Sequence, residues 1–187
     1  MEKTLVLLKP DAILRGIVGE ILQRFEKVGM KISAMKMIQA SREALEKHYF
    51  KDETWMKEKG ELYKKKLDLP EDTNPISIGK NLVEGLIKDM QTSPIIAIVL
   101  EGHNAVHTVR RLVGPTNIDE ASPGTIRGDY SHDTFGLANK SNRPNITIIH
   151  ATDNTEEVQK EIDFWFSPDE LHSYKKPEEE IHYRTRD

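Results

Sequence analysis

The chain has 187 residues, a hydrophobic fraction of 37%, a charged fraction of 31% and a net charge of −4. This composition suits one globular domain with a sizeable core, and its acidic balance argues against a general nucleic-acid or membrane-surface binder. There is no cysteine, which excludes a disulfide framework and a thiolate metal site and fits a reducing cytoplasm. No targeting segment is visible, and the apolar runs at residues 5–8 and 95–100 are far shorter than the ~20 residues that span a bilayer.

In chain order, residues 4–8 read as a first strand. The spacing of Ile17, Ile21, Leu22, Phe25 and Val28 predicts a helix over about 12–28, with Gly29 at its C-terminal cap. Residues 31–38 read as a second strand, and Ser41 is placed to cap a helix to about Phe50. Residues 51–79 carry lysines, acids, Pro70 and Pro75, and show no clean apolar face. A helix with Leu82, Leu86 and Met90 aligned follows, then a continuously apolar strand at 95–100, of the kind covered on both faces. Asn104 is expected to cap a helix ending at Gly114, and residues 121–128 read as loop. Residues 146–150 form the last expected strand. The residues after His150 lead into a last helix, with Asn154 and Glu157 as a capping box and Val158, Ile162 and Trp165 on one face. The charged tail after Phe166 is expected to wrap the surface. Periodicity alone, with strands alternating with helices, favours a parallel doubly wound sheet.

No phosphate-binding glycine loop of either common type occurs; 78–81, Ile-Gly-Lys-Asn, lacks the earlier glycine and the hydroxyl residue. If the protein handles nucleotides, side chains must hold the phosphates. Three segments stand out: Lys9-Pro-Asp11 after the first strand, the run Pro123-Gly-Thr-Ile-Arg127-Gly-Asp129, and His150 at the end of the last strand. Alone, each has an ordinary reading. A strand-end histidine is usually a surface residue, Pro-Gly is a common turn, and a helix glutamate such as Glu161 usually faces solvent.

Together the segments resemble nucleoside diphosphate kinases over nearly all of residues 2–170. The opening, with Lys9-Pro-Asp11 and Arg15-Gly-Ile-Val-Gly19, matches the family's N-terminal pattern, and further matches run through Leu45-Glu-Lys-His-Tyr49, Leu100-Glu-Gly-His and Val109-Arg-Arg. The resemblance implies an α+β fold: a ferredoxin-like four-stranded antiparallel sheet, βαββαβ, with additional helices. It implies a single domain over 1–187 with insertions at about 51–79 and 130–144. His150 falls on the phosphorylated histidine and Glu161 on the glutamate that orients its ring. Lys9, Arg110, Thr116 and Arg127 fall on phosphate-contacting positions, and Tyr49 on a tyrosine beside the histidine.

The implied activity is transfer of the γ-phosphate of ATP to a nucleoside diphosphate, by a ping-pong route through a phosphohistidine. An imidazole is mostly uncharged at neutral pH and can attack phosphorus. A carboxylate on its other nitrogen would fix the tautomer, and fixed cations would draw charge off the transferring group. The resemblance also implies Mg²⁺ carried on the nucleotide phosphates rather than by a protein metal site, a homo-oligomer, a cytoplasmic location, and no membrane or nucleic-acid partner. A non-catalytic nucleotide-binding module of the same fold is the alternative.

Of the adjacent Arg110 and Arg111, only one can face the site. His103 and His107 stand four apart but lack an obvious third ligand, and Lys64-Lys-Lys66 reads as a solvated face. The chain departs from the family at four places. Leu82 replaces the aromatic that stacks on the base, and Thr147 replaces an asparagine three residues before the histidine; Asn145 lies two residues back on the same strand face. Ala151 replaces a glycine, and residues 130–144 are longer than usual. Preserved chemistry with altered nucleotide affinity or assembly is the expectation.

Overall fold

The computed structural model describes residues 1–50, 52–66, 69–141 and 143–183. Lys51, Leu67, Asp68 and Asn142 of the two segments read as insertions, residues 184–187 of the tail, and the side chain of Lys66 lie outside the described residues.

Four strands form one sheet in the order β2-β3-β1-β4, every pairing antiparallel. They are β1 (Glu2–Leu8), β2 (Lys31–Ile38), β3 (Ile95–Gly102) and β4 (Ile149–Ala151). This is the ferredoxin-like arrangement, so the doubly wound alternative is wrong. The misleading signal has a physical source. Leu5, Val6, Leu7 and Leu8 are all fully buried because helices cover both faces of β1. A continuous apolar run reports coverage on two faces, not strand direction.

Side chains alternate between two cores. Leu5 and Leu7 pack with Leu45, Ile87, Ile162 and Trp165 on one face. Val6 and Leu8 pack with Phe25, Val109 and Ile126 on the other. The helices of the first face are α3 (Arg42–Tyr49), α5 (Pro75–Met90) and α9 (Val158–Trp165). The second face carries α2 (Val18–Lys27), α6 (Ala105–Val113) and α7 (Ile126–Tyr130). His150 is paired with Leu7. Its side chain therefore emerges on the face of α3, α5 and α9.

Several expected elements are redrawn. The helix over 12–28 is two helices, α1 (Pro10–Leu14) and α2, because Gly16 takes a φ of +69° and turns the chain between them. The unreadable segment holds α4 (Glu53–Lys66), and α5 starts earlier than its apolar pattern suggests, at Pro75 behind the Asn74 cap. α4 and α5 approach closely because Gly60 and Gly79 face the partner backbone. A Cβ at Gly60 would meet Pro75 O at 1.7 Å, and one at Gly79 would meet Met56 O at 2.3 Å. The buried stripe of α5 is Val83, Ile87 and Met90. Leu82 and Leu86 are only half-buried and face a cavity instead of the core.

Part of the expected loop at 121–128 is the start of α7, capped by Thr125, and α8 (Phe135–Lys140) lies in the segment read as the second insertion. Asn104 occupies the cap position of α6 in a left-handed conformation, and its side chain makes no capping bond. The capping box expected at Asn154 and Glu157 does not form. Asn154 Oδ1 instead accepts from Glu156 N at 2.9 Å, making a turn before α9 begins at Val158. The tail lies along the edge strand β2: His172 N–H donates to Ser33 O at 2.8 Å, and Lys31 Nζ reaches Tyr174 O at 2.8 Å and Glu179 at 3.2 Å. Edge coverage of this kind blocks pairing with another chain. The described part of the tail carries α10 (Pro177–His182).

Candidate active site

The expected last strand is shortened by a kink that aims His150. Ile149 N–H donates to Thr147 O at 2.6 Å across Ile148, whose φ is +64°. This is a γ-turn, and a β-branched residue with positive φ is strained by about 1–3 kcal/mol. Complete burial of Ile148 contributes roughly 1.5–3 kcal/mol in return. Hydrogen bonds tighten the turn further. Lys9 N–H donates to Ile148 O at 2.8 Å, and the Arg127 guanidinium donates to Thr147 O at 3.3 Å and to Ile149 O at 2.8 Å.

β4 resumes at Ile149, and His150 stands in its middle. Its Nε2 is buried and lies 3.7 Å from Glu161 Oε2, beyond hydrogen-bond reach. The same carboxylate oxygen accepts from Thr152 Oγ1 at 2.5 Å, and Thr152 N–H is tied to Leu5 O at 3.1 Å. Burial alone would raise the Glu161 carboxyl. The His150 ring, the Thr152 hydroxyl and the nearby His48 outweigh that and hold it down at about 2. His48 packs edge-on against His150, ring centroids 5.0 Å apart, and against Trp165 at 5.6 Å.

Lys9 and Arg127 converge on Thr147. Lys9 Nζ donates to Thr147 Oγ1 at 2.8 Å. Burial, with the Arg127 charge, draws the Lys9 ammonium down to about 8, although Asp11 and Asp89 oppose the shift. Arg127 is 3% exposed and also donates to Gly114 O at 2.8 Å and to Thr116 Oγ1 at 3.4 Å. Burial, reinforced by the charge of Arg110, draws Arg127 down to about 10. Arg110 is half-buried and its charge acts on Arg127, whereas Arg111 is exposed.

A cavity of about 400 Å³ opens beside the histidine, with Tyr49, Thr116, His150, Asp153 and Glu161 on its wall. The Tyr49 hydroxyl and His150 Nε2 are buried polar atoms without a hydrogen-bond partner. Burial, with Asp89 and Glu161 nearby, pushes the Tyr49 hydroxyl well up, so it stays a neutral donor. Unpaired buried polar groups are uncommon in folded proteins, and the Tyr49 hydroxyl is one that stands on the wall a ligand would meet. Lys9 and Arg127 stand behind this wall, with their hydrogen bonds going to protein acceptors.

Thr147 is engaged by Lys9, whereas the buried Asn145 turns toward a second hollow that it shares with Leu82 and Arg143. Among the described residues, no group of three or more histidines, aspartates or glutamates comes together to hold a metal, and no helix is long and apolar enough to cross a membrane. Sequence reasoning missed Thr152 and His48, although one lies two residues after His150 and the other adjoins Tyr49. It also missed Trp55, Tyr63 and Phe135, which line the far side of the cavity from segments with no readable pattern.

Comparison with known proteins shows the family and the fold. A family model described as "Nucleoside diphosphate kinase" matches residues 2–64 and 75–171. The nucleoside diphosphate kinase of Pyrobaculum aerophilum is 45% identical over 179 residues, covering 91% of this chain and 98% of that protein. The crystal structure of an NDP kinase from the same organism superposes with a TM-score of 0.86 at 42% identity, covering 92% of this chain and 99% of that one. A transition-state mimic of the Borrelia burgdorferi nucleoside-diphosphate kinase, with bound vanadate and ADP, superposes with a TM-score of 0.78 at 34% identity, covering 97% and 96%.

Proposed function

The chain belongs to the nucleoside diphosphate kinase family, and on that premise we propose that His150 is the residue that carries the phosphoryl group. The protein is an enzyme, transferring the terminal phosphate of a nucleoside triphosphate to a nucleoside diphosphate; a non-catalytic module of the same fold is not favoured. The observation that carries the assignment of His150 is its position between Glu161 and the cavity.

With Nε2 buried toward Glu161, Nδ1 is the nitrogen left to react. Its lone pair attacks the γ-phosphorus, a P–N bond forms, and the bond from phosphorus to the β,γ-bridging oxygen breaks. The diphosphate leaves with that electron pair. In the second half-reaction a terminal oxygen of the acceptor diphosphate attacks the same phosphorus, and the P–N bond breaks. Glu161, held by Thr152, stabilises the positive charge that grows on the ring. Arg110 and Thr116 bind the phosphates, and Lys9 joins them by exchanging its bond to Thr147 Oγ1; each hydrogen bond to a charged group contributes roughly 1.5–3 kcal/mol. Arg127 acts through its charge and by fixing the backbone on both sides of Ile148. Tyr49 offers its unpaired hydroxyl to the incoming chain.

The reading includes Mg²⁺ carried by the phosphates, where it would supply charge screening for the transferring group and the departing diphosphate. Asp153, an exposed carboxylate on the cavity wall, is the residue that would hold the ion. It further includes a cytoplasmic location, supported by the cysteine-free chain, and a homo-oligomer, as the resemblance implies. The test of the chemistry is incubation with γ-labelled ATP and Mg²⁺. The protein takes up label that is acid-labile and alkali-stable and passes it to added diphosphate. A wild-type protein that stays unlabelled, or a His150→Ala variant that labels normally, overturns the assignment.

A further inference from the structure

The two segments read as insertions meet over the cavity that holds His150. α4 brings Trp55, Lys59 and Tyr63 to its wall, and α8 brings Phe135. The Tyr63 and Phe135 rings pack edge to face, centroids 5.6 Å apart and planes at 89°. A second cavity of about 320 Å³ adjoins the first, bounded by Arg143, Pro144 and Asn145. Tyr63, Leu82 and Phe135 line both hollows. The site is therefore sorted by polarity. The reactive histidine and Thr116 stand in one part, and aromatic and aliphatic side chains gather where the two hollows join.

A nucleotide has the same polarity, with a charged tail and a flat apolar base. If its terminal phosphate lies at His150, the remainder of the molecule must extend toward this junction. We propose that Tyr63 and Phe135, together with Leu82, form the platform that holds the base, so that the two inserted segments supply the aromatic surface that α5 lacks. The proposal rests on the reading of His150 given above.

Both halves of the platform are anchored. α4 is set by its close glycine contacts with α5. The chain around α8 is clipped by the Asp133–Arg143 pair, with bonds of 2.6 and 2.7 Å, and by Asp133 accepting from Ile146 N. Stacking on a ring face tolerates every base, because each presents a π surface. The platform thus predicts broad base acceptance with a strong requirement for a base.

Calorimetric titration with ADP and with inorganic pyrophosphate tests this. Tyr63→Ala and Phe135→Ala each weaken ADP about tenfold and shift pyrophosphate less than about twofold, as loss of one stacking partner requires. Phe135→Leu, which keeps most of the volume but removes the π face, also weakens ADP, while Tyr63→Phe preserves it. Equal shifts for both ligands, or no shift for ADP, overturn the platform. Labelling by γ-ATP is measured in parallel on the wild-type protein. Failure of labelling with a normal ADP pattern removes the His150 assignment and leaves the platform. Normal labelling with indifferent variants does the reverse.

Discussion

Thr152 and Glu161 are joined by a hydroxyl–carboxylate hydrogen bond of 2.5 Å, on the same oxygen that faces His150 Nε2. Thr152 is a buried neighbour of the histidine on the chain, and Glu161 lies a turn into α9. The bond fixes the carboxylate against the imidazole and gives Thr152 a positioning role. Replacing Thr152 by valine removes the donor and keeps the shape. Steady-state kinetics is then expected to show kcat lower by about tenfold, the cost of one charged hydrogen bond, with KM for the diphosphate nearly unchanged. Thr152→Ser restores the rate. A Thr152→Val enzyme with unaltered kcat removes the positioning role.

Lys9 is drawn down to about 8. Its ammonium is therefore fully charged below that pH and is lost as pH rises through it. For free enzyme, kcat/KM should be flat on the acid side of 8 with respect to this group and fall about tenfold per unit above it. The same shift makes stability rise with pH between about 8 and the unfolded value of 10.5, since the unfolded chain then binds more protons. Lys9→Arg carries a charge that persists and should move the alkaline limb of the rate profile beyond about pH 10. An identical limb in that variant assigns the titration to another group.

Arg110 and Arg127 are expected to differ in kind. Arg127 donates to the carbonyl oxygens of Gly114, Thr147 and Ile149 while almost fully buried. A lysine there cannot reach all three, and each orphaned buried acceptor costs about 1–3 kcal/mol. Arg127→Lys should therefore lower both kcat/KM and the free energy of unfolding, the latter by about 2 kcal/mol or more. Arg110→Ala should lower kcat/KM by about tenfold or more, with stability changed by only about 0.5 kcal/mol. Urea melts beside kinetics separate the two roles, and equal stability losses would contradict the distinction.

Asp133 clips the segment that carries α8. Burial alone would raise its carboxyl, but the Arg143 guanidinium and the Ile146 amide hold it below its usual 3.8. A depressed carboxylate stabilises fully above the unfolded value and loses that contribution as pH falls below it. Acid denaturation of the wild-type protein should thus be steeper below about pH 4 than that of Asp133→Asn, which gives up the charged pair at every pH. Asp133→Asn is also expected to weaken ADP several-fold at neutral pH through loosening of the Phe135 segment. Matching acid profiles for the two proteins dismiss the clip.

Much of the architecture is legible along the chain because the apolar period is local. Strands β1, β2 and β3, the caps at Ser41 and Gly29, and the buried face of α9 all follow from spacing. The failures occur where a long-range contact overrides spacing. The stripe of Leu82 and Leu86 looks like core, yet it lines a cavity whose opposite wall is α4, while Val83, Ile87 and Met90 fill the core. The last strand is shorter than its alternation suggests because Arg127 and Lys9 bond the backbone around Ile148 in a turn. α4 itself was hidden by mixed polarity, since one of its sides is wet and its apolar contacts are shared between a helix and a cavity.

Residue order alone established a family resemblance, and through it a phosphate-handling chemistry, because the matching runs at 9–11, 123–129 and 150 are properties of that order. Taken singly, the histidine, the glutamate and the cations have ordinary readings. The tertiary structure alone decided which imidazole nitrogen meets Glu161, that Thr152 holds that carboxylate, that Arg127 gives its bonds to the backbone, and that Tyr63 meets Phe135. Those relationships depend on strand order and helix crossing. Neither leaves a periodic trace in the sequence, because the groups that meet are brought together by packing and not by their spacing.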